Sequence, residues 1–223
     1  MTQAKRIATR TLLRTLGELY PEAFCSLHFE NPLQLLIATI LSAQCTDKRV
    51  NLVTPALFAR FPEAADYANG DLAEIKSLVS STGFYHNKAK NIQLACQQIV
   101  TLHGGQVPQT LEELVELPGV GRKTANVVLG DGFGTPGITV DTHVGRLSRR
   151  MGLTVHENPV KAEQDLMALI PRPQWTPFSH RMILHGRAVC ESRKPKCSEC
   201  QFLRVCPRIG VADTIPTPTI KKT

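Results

Sequence analysis

Along most of the chain, apolar residues recur every three or four positions rather than every second one. The segments "LQLLIATIL" (33–41), "VNLVTPALFARF" (50–61), "LAEIKSLV" (72–79) and "NIQLACQQIVTL" (91–102) each lay an apolar stripe along one side of a helix. The only β-branched cluster, Ile138-Thr139-Val140, is too short to found a sheet. The pattern predicts an all-α fold of roughly ten modest helices. Helix punctuation agrees: Asp47 and Asp71 read as N-caps, Gly104-Gly105 as a helix stop, and Pro21, Pro32 and Pro62 as turn or first-turn residues. No low-complexity linker divides the chain, so a domain boundary is sought at the glycine-rich "GDGFGTPG" (130–137). The tail 211–223, with "TIPTPTIKKT" at its end, reads as disordered.

One break in the periodicity carries chemistry. "TLEELVEL" (110–117) has Thr110 as N-cap and Glu113 three residues on, the capping-box pattern, and a new helical period begins at Arg122. Between them Gly119 and Gly121 flank Val120, which makes a helix-hairpin-helix. Glycines allow a ligand close to the backbone, and the first N–H groups of the second helix are unsatisfied and lie at its positive end, so the turn suits a phosphate. The plainer alternative is an ordinary helical hairpin; adjacent Arg122 and Lys123 favour the phosphate. Lys123 falls in the first helical turn, where the dipole and Arg122 both work against an ammonium ion. A neutral amine is a nucleophile that forms Schiff bases, whereas a charged one is only a counter-charge. Further on, "VDTHVGRLSRR" (140–150) offers Asp141, which reads either as an N-cap or as a carboxylate able to take a proton or steady a cationic sugar carbon. His143 is a phosphate or sugar contact, or a partly buried helix residue.

Charge and cysteines narrow the class. The chain has 223 residues and a net charge of +7, which makes a polyanion partner plausible, and at 5% aromatic it is poorly supplied for stacking on single strands, so duplex binding fits better. The longest apolar run, 32–43, is too short to span a bilayer and there is no secretory pattern at the start, so the expectation is a soluble cytoplasmic protein with no membrane partner. Of seven cysteines, four crowd into "CESRKPKCSECQFLRVC" (190–206) with the spacing C-x6-C-x2-C-x5-C. Cys190, Cys197, Cys200 and Cys206 suit either tetrahedral zinc or an iron–sulfur cluster; the wide outer gaps suit a 4Fe-4S cubane better. Arg193 and Lys194, in the first gap, form a basic loop tethered at both ends, either a grip on phosphate or a solvated charge run.

Taken together, "LPGVGRKTANVVL" (117–129), "VDTHVGRL" (140–147) and the cysteine run resemble the endonuclease III family, the bifunctional branch of the helix-hairpin-helix DNA glycosylase superfamily, from about residue 20 to 208. The resemblance implies two helical lobes flanking a DNA-binding cleft: a six-helix barrel at 24–134, and a 4Fe-4S lobe assembled from 1–23 and 135–210. It implies a monomeric base-excision enzyme that removes oxidised pyrimidines from duplex DNA and cuts the strand by β-elimination. Its nucleophile falls on Lys123, its essential aspartate on Asp141, and its cluster ligands on Cys190, Cys197, Cys200 and Cys206. The family's "LSAQ" turn is at 41–44, which makes Gln44 the residue that fills the gap left by a flipped nucleotide. The family's inserting side chain, usually aliphatic, aligns with Phe84, a bulkier wedge that leaves opposite-base preference open.

Overall fold

The computed structural model describes residues 6–211, and every regular element among them is helical. The expectation for the tail beyond 211 lies outside the described residues. In chain order the helices are α1 (Thr9–Leu19), α2 (Pro32–Ser42), α3 (Asp47–Arg60), α4 (Ala64–Asn69), α5 (Leu72–Leu78), α6 (Tyr85–Leu102), α7 (Leu111–Glu116), α8 (Arg122–Val127), α9 (Thr142–Arg150), α10 (Pro159–Leu169) and α11 (Trp175–Ala188). The chain divides into two compact units, Phe24–Gly137 and Met1–Ala23 with Ile138–Thr223. The seam between Gly137 and Ile138 lies three residues beyond the 134/135 boundary expected from sequence. Local packing places it there: a Cβ on Gly137 would stand 2.8 Å from Asn126 Oδ1, so Gly137 still packs within the first unit.

The first unit is built around α2. Asn31 caps it by accepting from Gln34 N at 3.0 Å, and Pro32 occupies the first helical position, where a missing N–H costs nothing. From Leu35 to Leu41 every residue of α2 is buried, so this helix is apolar all round and is enclosed by α3, α6 and α8. Leu57, Ile75, Ile92, Ile99, Leu114 and Ala125 complete the core, each large side chain contributing about 1.5–3 kcal/mol by leaving water. At α3 the sequence reading needs correction. Thr46, not Asp47, is the N-cap: its hydroxyl accepts from Arg49 N at 3.3 Å. Asp47 is the first helical residue, where its charge complements the dipole and accepts a 2.6 Å hydrogen bond from Ser26 Oγ. Asp71 does cap α5, accepting from Ala73 N at 2.9 Å.

In the second unit, α1, α9, α10 and α11 enclose Leu12, Leu16, Val144, Leu147, Leu166, Phe178 and Met182. Residues from the start of the chain are integral here, since Ile7 N donates to Met151 O at 3.1 Å. The packing of α9 on α11 depends on Gly186: a Cβ there would lie 2.8 Å from His143 Nδ1 and 3.0 Å from His143 Cβ.

Candidate active site

The hairpin between α7 and α8 forms as the spacing predicts, with one change in its cap. Thr110 accepts from Glu113 N at 3.3 Å, but its hydroxyl also donates to Glu113 Oε2 at 2.6 Å, so the carboxylate closes on the side chain. The turn is drawn in by Val120, which is buried and whose N–H donates to Leu117 O at 3.0 Å. Gly119 has φ +79°, and a Cβ there would meet Asn91 at 2.9 Å, so only glycine fits. Gly121 is the N-cap of α8, makes no side-chain cap hydrogen bond, and has open space where a Cβ would be. The entry to α8 is therefore uncovered by its own cap residue. Lys123, its second residue, is exposed. Burial, together with the charges of Asp131 and Asp47, pushes the nearby Cys25 thiol up to about 11; Lys123 opposes that shift, which places its charge within electrostatic reach of Cys25. Beyond Val127 the helix widens into a π-helical turn, Val128–Gly132, the kind of local irregularity that gathers at functional sites.

Two exposed tips of the first unit have backbone conformations that L side chains avoid. Gln44, just beyond α2, has φ +54°; it follows Ala43 at φ −57°, ψ 114° in a turn closed by Cys45 N donating to Ser42 O at 3.0 Å. That is type II geometry, which ordinarily has glycine at the Gln44 position. Phe84, the N-cap of α6, is also left-handed (φ 48°, ψ 25°), and it is 67% exposed although it is a large apolar side chain. Left-handed non-glycine residues each cost about 1–3 kcal/mol and collect at functional tips.

In the second unit, Asp141 is the N-cap of α9, its Oδ1 accepting from Val144 N at 2.8 Å. The capping reading therefore holds geometrically, and it fixes the carboxylate in place. His143 packs against Gly186, and Arg146 Nη2 donates to its Nδ1 at 3.2 Å. Burial lowers the pKa of His143, and Arg146 and Arg187 add to this against the opposing pull of Asp141.

Cys190, Cys197, Cys200 and Cys206 all line one recess. Among the described residues no three His, Cys, Asp or Glu side chains are grouped as a single metal ion needs. Burial pushes the Cys200 thiol up to about 11, and the charges of the other three thiols add to it, so four thiolates here require a bound cation or cluster to offset their repulsion. Arg150 Nη1 donates to Cys190 Sγ at 3.3 Å, and His185 Nε2 lies 3.5 Å from Cys200 Sγ. Tyr20 Oη is 3.1 Å from His185 Nδ1, and burial lowers the His185 pKa to about 4. Arg150 also donates to Glu191 O and Ser192 O, both at 2.7 Å, and so ties down the start of the basic loop. Arg193 and Lys194 are exposed on it. Sequence reasoning did not find Arg150 or His185 beside the thiols; His185 lies only five residues before Cys190, which was the available signal.

These features define a helical hairpin unit bearing an exposed lysine, joined in one chain to a helical unit bearing a four-thiol recess. The chain belongs to the HhH-GPD superfamily of base excision DNA repair proteins, whose profile matches residues 37–172. It is 60% identical to the endonuclease III of a Synechocystis species, over 93% of this chain and 94% of the relative. It is 39% identical to the endonuclease III of Escherichia coli K12, over 92% and 96% respectively. Among solved structures, one described as a trapped endonuclease III–DNA covalent intermediate, an estranged-adenine complex, matches with a TM-score of 0.84 at 44% identity, covering 88% of this chain and 93% of that one.

Proposed function

We propose that the chain is a base-excision DNA glycosylase with abasic-site lyase activity, acting on oxidised pyrimidines in duplex DNA with Lys123 as its nucleophile. The observation that carries this reading is the exposed Lys123 on an uncapped helix entry, in a chain whose fold matches a structure described as a covalent protein–DNA intermediate. The hairpin amides at Gly119 and Gly121, with Arg122, take the phosphodiester backbone. Gln44 and Phe84 enter the duplex where the damaged nucleotide has left the stack. His143, Arg193 and Lys194 add contacts to sugar and phosphate. The Lys123 amine attacks C1′ of the sugar, and the base departs with the bonding electrons and gains a proton. Ring opening gives a Schiff base between Nζ and C1′. Loss of a C2′ proton then expels the 3′ phosphate, and water releases the lysine. Asp141, fixed by its cap hydrogen bond, steadies positive charge on the sugar and takes the proton from Lys123.

Cys190, Cys197, Cys200 and Cys206 hold a 4Fe-4S cluster in this reading; their shared recess and the Arg150 guanidinium donating to Cys190 Sγ fit it. When bound, the cluster supplies cross-linking of its loop, and no step of the cleavage runs through it. No helix among the described residues is long and apolar enough to cross a membrane, and the enzyme is proposed to work as a cytoplasmic, nucleoid-associated monomer. Borohydride reduction during turnover tests the chemistry: the wild type should be trapped on lesion duplex, and Lys123→Ala should lose trapping by at least about a thousandfold, the scale of losing a covalent nucleophile. Trapping that persists in Lys123→Ala sinks the assignment.

A further inference from the structure

Lys88 is the anomaly of the first unit. It lies one turn into α6, at the positive end of a helix, where the dipole disfavours a cation. It is nevertheless only 5% exposed. Its ammonium meets no carboxylate; instead Nζ donates to Leu41 O at 2.8 Å and to Thr82 O at 2.7 Å. Leu41 belongs to the last turn of α2, whose closing carbonyls have no partner within the helix, and Gln44 stands three residues later. Thr82 is buried, and its hydroxyl donates to Val79 O at 2.8 Å, which fixes the turn that leads through Gly83 into Phe84. The Lys88 backbone holds the same tip from the other side, its N–H donating to Phe84 O at 3.2 Å.

Burying an ammonium between two neutral carbonyls is a poor way to stabilise a core, because an apolar side chain of similar length avoids the desolvation. What the ammonium provides, and an apolar side chain cannot, is a directional link between two segments far apart in sequence. Both segments end in an exposed left-handed residue, and such strained conformations persist only where their surroundings over-determine them.

We propose that Lys88 is a positioning residue for duplex recognition: it fastens the tip carrying Gln44 to the tip carrying Phe84, so that both are presented to DNA as one stiff wedge. The proposal rests on the reading that these two residues enter the duplex. A single strand has no stack to hold open, so the link matters for duplex substrates and not for single-stranded ones.

The test compares borohydride trapping rates on an abasic site in a duplex and on the same abasic site in a single strand, at subsaturating DNA. Lys88→Met should lower the duplex rate about tenfold or more while the single-strand rate stays within about twofold. Lys88→Arg, which keeps charge and donors but displaces the tips through its greater length, should show a smaller loss confined to duplex; it carries the test if Lys88→Met does not fold. Equal losses on both substrates, or no loss on either, overturn the proposal. Gln44→Ala and Phe84→Ala separate it from its foundation. If they lower the duplex rate and the Lys88 variants do not, the link fails while the wedge stands; if they leave the duplex rate unchanged, the wedge reading fails and takes the proposal with it.

Discussion

Gln44 sits where a type II turn ordinarily has glycine, so its side chain is kept at a conformational cost of about 1 kcal/mol or more. Gln44→Gly should therefore leave the unfolding midpoint unchanged or slightly higher, while base release from lesion duplex falls; calorimetry and a base-release assay on the same preparation check both halves. His143 gives a second residue-level prediction. Its pKa in the fold lies below the ordinary value near 6.5, so the unfolded chain takes up the proton first, and the stability that His143 contributes is complete above pH 6.5 and is lost as pH falls below it. His143→Gln, which still offers an oxygen to Arg146, should unfold with a smaller loss of midpoint between pH 7.5 and 5.5 than the wild type. An equal loss in both would remove His143 as the source. Residues of local origin were legible in the sequence: Thr110, Gly119 and Gly121 declare themselves by spacing within a few positions. Lys88 and Arg150 were not, because Leu41 lies 47 residues from Lys88 and Cys190 lies 40 from Arg150, and only the fold brings them together.

At the scale of elements, apolar periodicity foretold the helical class and most helix positions, since burial of one stripe decides both. It did not foretell the π-helical widening after α8 or the exchange of roles between Thr46 and Asp47, where two adjacent residues are both competent caps and the geometry of the preceding turn chooses. Nor did it reveal why α9 and α11 approach so closely. That approach needs the missing side chain of Gly186, and Gly186→Ala forces a methyl group against the His143 ring at a distance no relaxed packing tolerates. The variant should lose about 1–3 kcal/mol by denaturant titration, as overpacked interiors do. Because His143 and Arg146 would have to shift, and Arg146 Nη2 also donates to Cys190 O at 2.9 Å, the loss should be accompanied by slower acquisition of the proposed cluster during reconstitution.

For the whole molecule, the net charge of +7 makes duplex affinity a function of salt. Replacing Arg193 and Lys194 together with alanine should reduce the slope of log affinity against log salt by roughly 0.9 for each phosphate that the pair had neutralised; an unchanged slope returns the basic loop to a solubility role. The two units have separate cores, one drawn wholly from residues 24–137 and the other from both flanking stretches. Removing the proposed cluster should accordingly raise amide exchange around Cys190–Cys206 and α9 while α2 and α6 keep their protection, measured by hydrogen–deuterium exchange.

The split composition of the second unit also bears on synthesis. A ribosome delivers residues 6–23 ahead of the rest of their unit, yet Ile7, Leu12 and Leu16 find their core only when Met151, Leu166, Phe178 and Met182 have been made. The unit at Phe24–Gly137 contains everything it needs and can close while the rest is still being translated. Residues 6–23 thus emerge before Phe24–Gly137 and fold after it, and they spend the interval as an amphipathic peptide waiting for their partners. Limited proteolysis of nascent chains stalled with residue 137 just outside the exit tunnel should cut within 6–23 and spare 24–137.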